Sequence, residues 1–310
     1  MVQGSSEKVT VFFRYFLTFF LVVTLNFVIP RAMPGDPVVN LFGEEAYLHP
    51  EILQEIRKEF GLDKPLIEQY FLYIENLFTG NFGYSFSFHK PVLEVISEYM
   101  WRTILLTLPS TVVGVLFGVY VGSLIAWKKK QVEVVLMIVV YSIPVYWLGI
   151  IFLYFFSYKA GIFPLGGAIS SFEDVNKLIL PSTTIVLHLI AINALMSRAI
   201  VSGTMNESFI VTAIAKGLKG ETVLRRHVIR ASLAPIIAMS AIEFGFAFSG
   251  SILVEIVFSY PGIGLLIWEA VRVRDYPILQ AIFILVAIIV ISANAIADLI
   301  SKAIDPRLRS

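Results

Sequence analysis

Long apolar runs alternate along this chain with shorter polar segments. Six runs stand out, at residues 11–29, 104–127, 134–158, 178–197, 233–258 and 278–297. A helix that crosses the hydrocarbon core of a bilayer needs roughly 20 consecutive apolar residues. Inside lipid the backbone must satisfy its own hydrogen bonds, and no run alternates as a barrel strand does. The pattern therefore predicts an all-α integral membrane protein with six transmembrane helices.

Lysine and arginine residues in the short loops predict the orientation of these helices. One set of helix ends is rich in them: Lys8, Arg14, Lys128, Lys129, Lys130, Lys216, Lys219, Arg225, Arg226, Arg230, Lys302, Arg307 and Arg309. The opposite short loops carry only Lys159, Lys177, Arg272 and Arg274. Because cytoplasmic loops carry the excess of these cations, both termini are predicted to be cytoplasmic, which agrees with six crossings.

The composition agrees with a membrane protein and narrows its chemistry. The 310 residues are 57% hydrophobic and 15% charged, against about 25% charged residues in soluble domains. There is no cysteine, which excludes thiolate chemistry, and the net charge of +1 gives no reason to expect nucleic acid binding. The four histidines are scattered and no P-loop sequence is present, so the sequence predicts no catalytic or metal site and no ATP site in this chain.

The predicted external segment, residues 34–102, contains two short helices. The first covers residues 51–60 and is ended by Gly61, and the second begins after Asp63 and Pro65 and stops at Gly80. The second helix has apolar residues at helical spacing: Ile67, Tyr70, Phe71, Ile74, Leu77 and Phe78. It is expected to lie on the membrane or cap the outer mouth of the bundle, or else to dock an external partner.

The predicted internal segment, residues 203–232, is longer than a simple connection requires. Ile210, Ile214, Gly217 and Leu218 recur at the spacing of one helical stripe, and many cations follow them. A docking element for a cytoplasmic partner explains this pattern. A basic interfacial helix held by anionic lipid headgroups explains it equally well.

Few polar residues lie inside the predicted spans. Glu243 is near the middle of the fifth run, where a charge costs about 2.5–3.5 kcal/mol by insertion scales, so it should face protein or water. It either lines a pore or is hydrogen-bonded inside the bundle. The same two interpretations apply to His188 and Asn193 in the fourth run. Pro109 and Pro144 are expected to kink their helices.

Three small residues, Gly114, Gly118 and Gly122, recur every fourth position in the second run. This series lets two helices approach closely. Packing inside this chain is the favoured interpretation, and a seam with a second subunit is the alternative.

Several short motifs resemble those of one transporter family. The internal segment reads FIVTAIAKGLK from Phe209, RRHVIR from Arg225 and LAP from Leu233. Elsewhere the chain has PGDP from Pro34, GNFGYS from Gly80, EIVFSYPGIG from Glu255 and DPR from Asp305. Read in order along the chain, these motifs resemble those of the dipeptide/oligopeptide-type permease subunits of bacterial and archaeal ABC importers. Val211, Ile214 and Ala234 depart from the family pattern, the first two where a glutamate and an arginine are usual.

The resemblance implies the type I importer permease fold in a cytoplasmic membrane, together with a set of partners. A second homologous permease subunit would complete the pore, and an extracytoplasmic solute-binding protein would deliver solute. Two ABC ATPase subunits would bind ATP and Mg, so this chain would hold no cofactor. The solute would be a peptide, with oligosaccharides or nickel chelates as alternatives. A stand-alone transporter or channel is a distant alternative, since it would more typically show several intramembrane carboxylates or an inverted repeat.

The resemblance also assigns roles along the chain. The coupling helix that docks on an ATPase would comprise Phe209, Ile210, Thr212, Ala213, Ala215, Lys216, Gly217 and Leu218. Separately, polar groups and a rigid turn cluster on the predicted outer side, at Asp36, Glu255, Pro261 and Gly262, and this rim is expected to receive the binding protein. The chain would then divide into residues 1–33 with the first span, the external segment 34–102, and a five-helix core 103–310 that carries the coupling loop 203–232.

Overall fold

The computed structural model describes residues 2–32, 50–59, 61–85, 87–167 and 172–304. These residues are overwhelmingly helical, and an isolated antiparallel bridge pairs Tyr84 with Pro91. The helices are α1 (Val2–Ala32), α2 (Pro50–Glu59), α3 (Leu66–Thr79), α4 (Val92–Lys128), α5 (Gln131–Ser142), α6 (Val145–Phe152), α7 (Asn176–Met205), α8 (Ser208–Ala215), α9 (Gly220–Val223), α10 (Ile229–Val257), α11 (Ile263–Val273) and α12 (Tyr276–Ile304). Two π-helical segments, Leu153–Lys159 and Leu224–Val228, continue α6 and α9.

Three helices of the described chain are long and apolar enough to cross a membrane. They are Val92–Lys128, Asn176–Met205 and the stretch Tyr276–Ile296 of α12. A fourth crossing is reached if the bent pair Gln131–Ser142 and Val145–Lys159 is one span. The first run lies in α1, whose apolar stretch is Tyr15–Ile29, and the fifth lies in α10. The helices are therefore where the apolar runs predict them, while six crossings stay a prediction.

The third predicted span is broken rather than merely kinked. Helix α5 ends at Ser142, Ile143 is extended with ψ 122°, and α6 begins after Pro144 at an angle of 90°. Proline has no N–H to donate and disfavours the helical conformation in the residue before it, which accounts for the extended Ile143. Pro109 stays inside α4. The kink predicted at Pro144 is therefore present in the structure as a full break between two helices.

The chain folds into two compact units. The first comprises Met1–Trp101 and Leu265–Ile291, and the second comprises Arg102–Gly264 and Ser292–Ser310. The functional division at residues 33, 102 and 203–232 stays a prediction.

In the first unit, α3 packs on α1 through a small aromatic and polar cluster. The Phe27 ring lies 5.1 Å from the Tyr70 ring, edge to face, and Tyr70 OH lies 2.9 Å from Thr24 Oγ1. Asn26 Nδ2 donates to Tyr73 OH at 3.1 Å. Both predicted external helices are confirmed, with Gly80 ending α3 at φ 71°.

A buried carboxylate ties the segment around residue 85 to the start of α12 in the same unit. Asp275 is fully buried, and its Oδ2 accepts hydrogen bonds from Ser85 Oγ at 2.6 Å and from Ser87 N at 3.0 Å and Oγ at 2.7 Å. Its other oxygen faces the N–H of Ile278 at 3.4 Å. No local sequence motif predicts this contact.

In the second unit, the glycine series of α4 packs directly against α7. A Cβ atom at Gly114, Gly118 or Gly122 would come within 2.5 Å of Leu189 Cβ, 2.6 Å of Asn193 Cβ and 2.1 Å of Ser197 Oγ, respectively. Real Cβ atoms do not approach other heavy atoms so closely, so each position requires glycine in this packing. The glycine series therefore packs two helices of this chain together, as the favoured interpretation predicts.

Candidate functional site

The short helix α8, in the internal segment, is the centre of the candidate site. It begins after Glu207, whose backbone is extended. The turn that ends it contains Gly217, whose backbone is left-handed at φ 80°. The Gly217 N–H donates to Ile214 O at 2.9 Å and the Leu218 N–H to Ala213 O at 3.4 Å. This pair of bonds is the Schellman motif, which satisfies the last carbonyls of a helix and favours glycine at the turn. No heavy atom lies within 4 Å of a Cβ at Gly217, so the backbone conformation, not crowding, requires glycine there.

One side of α8 is buried against its own chain. Ile210 is 1% exposed and Ala213 is also buried, and both belong to an apolar cluster. The other buried members of this anchoring cluster come from the helices around α8: Ala126 of α4, Val201 of α7, Val223 of α9, Val228 of the π-helical segment and Ile236 of α10. Helix α8 is therefore fixed to the ends of three long helices.

The opposite side of α8 is apolar and exposed. Val211 and Ile214 are 58% and 57% exposed, and Phe209 and Leu218 are also open to the surroundings. Val211 and Ile214, at i and i+3, share one face of α8, and Leu218 is exposed just beyond the turn at Gly217. The predicted stripe is therefore wrong in part, because Ile210 points into the chain while Ile214 and Leu218 point away from it.

Exposed polar and cationic side chains accompany this face along the chain. Thr212, Lys216 and Lys219 are exposed, as are Arg226 and Arg230, and the small Ala215 lies among them. Arg225 Nη2 lies 3.1 Å from Glu221 Oε1 in a pair that is about three-quarters exposed. Exposed pairs of this kind contribute about 0–1 kcal/mol, so most of the positive charge stays available to a partner.

The connection after α8 packs closely on the end of α4. A Cβ at Gly220 would meet the Trp127 ring at 3.3 Å. Trp127 therefore covers the start of α9. The beginning of α9 is thus packed against the end of α4 within the second unit.

The turn between α10 and α11 is built around Glu255. Its side chain is fully buried, and Oε2 accepts a hydrogen bond from Gly264 N at 2.6 Å. Thr103 Oγ1, which the sequence analysis missed, accepts from Ile263 N at 2.7 Å. A Cβ at Gly262 would lie 2.5 Å from the Glu255 carboxyl carbon, so this turn closes tightly over the carboxylate.

This geometry corrects the expectation that Glu255 faces a partner. Its carboxylate holds the turn from inside, and Gly262 is buried with it, while Pro261 is half-buried. Asp36, the fourth predicted rim residue, lies outside the described residues. Docking of a partner at this turn stays a prediction.

Tyr260 supports the same turn from the other side. Its buried hydroxyl donates to Arg102 O at 2.9 Å. Burial, together with the neighbouring Glu255 carboxylate, raises the pKa of Tyr260 well above its ordinary value. The phenol therefore stays protonated and keeps this hydrogen bond over the whole physiological pH range.

Comparison with known families covers nearly the whole chain. Residues 114–310 match the model described as "Binding-protein-dependent transport system inner membrane component". Residues 9–112 match the model of the N-terminal part of these membrane components. The chain belongs to this family of transporter permeases.

Curated relatives agree with this assignment. The permease is 33% identical over 296 residues to the glutathione transport system permease protein GsiC of Escherichia coli K12, covering 94% of this chain and 95% of that protein. The protein of the same name from Shigella dysenteriae serotype 1 matches to the same extent. The chain is thus a multi-pass membrane permease of the peptide-type ABC importer class, as the sequence motifs predict.

The three candidate pore residues of the permease lie in different surroundings. Asn193 is fully buried against Gly118, and its Nδ2 donates to Leu189 O at 2.9 Å. This side chain belongs to the α4–α7 seam, which corrects its assignment to an open path. His188 is half-buried and stacks on Tyr141 at 5.8 Å, and its buried Nδ1 has no hydrogen-bond partner among the residues that the structure describes. Glu243 is half-buried on α10. For His188 and Glu243, pore lining stays a prediction.

Proposed function

We propose that this permease forms half of the translocation path of an ATP-driven, binding-protein-dependent importer of peptides. Family membership supports the permease role, and the name of the relatives, a glutathione transport system permease, supports a peptide-like solute. The observation that carries the proposal is α8, a short helix with an exposed apolar face and a buried anchor.

The proposed topology has six crossings with both termini in the cytoplasm. The first run in α1, the broken α5–α6 pair and α10 would supply the crossings beyond the three clear spans. The distribution of lysine and arginine supports this orientation and puts α8 on the cytoplasmic side. The membrane would be the cytoplasmic membrane of a bacterium or archaeon.

On the cytoplasmic side, the exposed face of α8 would lie in a groove of an ATPase subunit. That subunit and its partner would bind ATP and Mg, and this chain would hold no cofactor. Ile210 and Ala213 anchor α8 to the ends of α4, α7 and α10, so a movement of the ATPase would displace these helices together. Rigid-body motion at such an interface is a common way to switch between two states. A second permease subunit would complete the pore.

This arrangement changes the role of the small residues in the coupling segment. Ala213 faces its own chain, while Gly217 provides the left-handed turn that ends α8. Ala215 remains exposed and available for close approach by a partner. The contact with the ATPase would therefore depend chiefly on Val211, Ile214 and Leu218.

On the external side, a solute-binding protein would dock near the α10–α11 turn. Glu255 and Thr103 make this turn rigid by holding its backbone N–H groups. A rigid turn loses little conformational freedom when a partner binds, which favours docking.

The proposal is tested by placing charge on the exposed face of α8. The double variant Val211→Asp, Ile214→Asp should lower ATP-driven peptide uptake at least tenfold and release the ATPase subunits during purification, because two carboxylates would be buried in the contact. Val132→Asp is the matched control, since Val132 is another highly exposed apolar residue, in the first turn of α5 at a helix end predicted to be cytoplasmic. Normal uptake by the double variant at normal membrane levels would refute the coupling role.

A further inference from the structure

A cavity of about 490 Å³ opens in the first unit, at the end of α1. Three cations line it, Arg31, Lys58 and Lys64, and its described lining includes no aspartate or glutamate. Amide and aromatic side chains complete the walls, among them Asn76, Asn81, Tyr73, Tyr276 and Gln280. This volume is within the range of about 300–1,000 Å³ that is usual for small-molecule sites. The charge of the lining suits an anion.

Arg31 is held in a fixed position at this cavity. Its Nε donates to Gln69 Oε1 at 3.0 Å and its Nη1 donates to Phe27 O at 3.2 Å. The guanidinium carbon lies 3.8 Å from the centre of the Phe27 ring. The contacts use a neutral amide, a carbonyl and an aromatic face. Within the described ranges no carboxylate lies at ion-pair distance from Arg31.

The charge of Arg31 persists although the side chain is half-buried. It follows the apolar stretch Tyr15–Ile29 of α1, and burial lowers its pKa to about 10. At neutral pH the guanidinium is therefore still a cation. A partly desolvated cation attracts an anion more strongly than a fully hydrated one.

Gln280 places a second donor at the cavity. Gln280 Nε2 is buried and makes no hydrogen bond to any described residue, while the Gln280 carbonyl accepts from Asn26 Nδ2 at 2.7 Å. A buried amide without a partner costs about 1–3 kcal/mol. A ligand oxygen in the cavity would satisfy this donor as well as Arg31.

The helices around the cavity expose side chains suited to lipid. On α3, Ile67 is 71% exposed and Phe78 is 81% exposed, and none of its residues is buried. On α1, Leu25 and Ile29 are exposed in the turns before Arg31. An amphipathic helix with such a face lies at the boundary between headgroups and acyl chains. The tyrosines of the cavity suit the same depth.

We propose that this cavity binds the phosphate group of an anionic phospholipid, with Arg31 and Gln280 as the central donors and Lys58 and Lys64 at the rim. Acyl chains would extend along the exposed apolar residues of α1 and α3. In the topology proposed above the lipid would belong to the outer leaflet. The site would fasten the external helices to the membrane surface independently of the nucleotide cycle.

The test measures lipid retained by the full chain purified from membranes in mild detergent, by native mass spectrometry. The wild-type chain should retain one tightly bound phosphatidylglycerol, and Arg31→Gln should weaken this binding at least about tenfold, because a charge-assisted hydrogen bond is lost. Arg31→Lys should bind with intermediate affinity. Arg272→Gln, which removes an exposed arginine outside the cavity lining, should bind as the wild type does.

Added competitors distinguish lipid phosphate from other anions. Added phosphatidylglycerol should exchange with the lipid already bound. Diacylglycerol, which lacks the phosphate, should not displace it, and neither should inorganic phosphate at millimolar concentration. Equal retention by Arg31→Gln and the wild type would overturn the site, and displacement by inorganic phosphate alone would overturn the lipid assignment. Because lipid retention needs neither ATPase nor solute, its failure would leave the proposed transport function untouched.

Discussion

Helices α3 and α8 are both short, both lie outside the apolar runs, and both expose large apolar side chains, yet they are held in different ways. Helix α8 buries Ile210 and Ala213 in an apolar cluster. Helix α3 buries no residue fully and is held by ring contacts and hydrogen bonds of Tyr70 and Tyr73. An apolar anchor joins α8 to the ends of long helices, which suits the transmission of force. The polar attachment of α3 suits a helix that lies on a membrane surface.

The largest expected effect comes from removing the anchor of α8. Ile210→Ala should destabilise the second unit by about 2–5 kcal/mol, because it leaves a cavity where the side chain is 1% exposed. Ile74→Ala on the half-buried face of α3 should cost clearly less. Thermal unfolding in detergent, followed by circular dichroism, compares the two variants. Equal losses would show that the two helices are held alike.

The next effect concerns the helices to which α8 is fixed. Gly122→Ala should cost roughly 1–3 kcal/mol, because its Cβ would lie 2.1 Å from Ser197 Oγ and 2.2 Å from Ala194 O. Gly203→Ala is the matched control within α7, since no heavy atom lies within 4 Å of the added methyl group. It should leave stability unchanged or raise it slightly. If both variants unfold at the same temperature, α4 and α7 pack more loosely than these distances indicate.

A third comparison uses the two glycines that end these helices. Gly217 and Gly80 have φ of 80° and 71°, and both have open space around an added Cβ. Alanine in this left-handed conformation costs about 1–2 kcal/mol at either site. Only Gly217→Ala should lower uptake per inserted transporter, because only α8 carries the proposed coupling contact. Asparagine, which tolerates this conformation, should restore part of the uptake at 217.

The smallest effect tests the attachment of α3. Tyr73→Phe removes the acceptor for Asn26 Nδ2 while the bond of that nitrogen to Gln280 O remains. The expected loss is about 0.5–1.5 kcal/mol, and peptide uptake should stay near the wild-type rate. Hydrogen exchange of the α3 amides would show faster local opening. Unchanged exchange would mean that the ring contacts alone fix this helix.

Local sequence signals predicted the elements that depend on neighbouring residues. Helix α3 begins after Pro65 and ends at Gly80, as expected, and Gly217 forms the turn that ends α8. The glycine series of α4 predicted close helix packing, because three small residues on one helical face let a neighbouring helix approach. These features follow from backbone conformation and residue size, which a single sequence carries.

The remaining errors arise from contacts between distant parts of the chain. Residues 213 and 214 both lie beside Ile210 on α8, so spacing alone could not decide which one faces the chain, and the structure buries Ala213. Asp275 binds Ser85 and Ser87, almost 200 positions away, without any local motif. Glu255 was expected to be an exposed rim residue, but in the structure Gly262 packs over its carboxylate.

The most direct test of the coupling role uses the absence of cysteine from this chain. A single cysteine at Ile214, labelled with a photoreactive maleimide in membranes that contain the whole transporter, should crosslink to an ATPase subunit. A cysteine at Ile67, exposed on α3, should not form this product. An Ile214→Cys variant that reacts with membrane-impermeant reagents from outside intact cells, or that never crosslinks to an ATPase, would contradict the account.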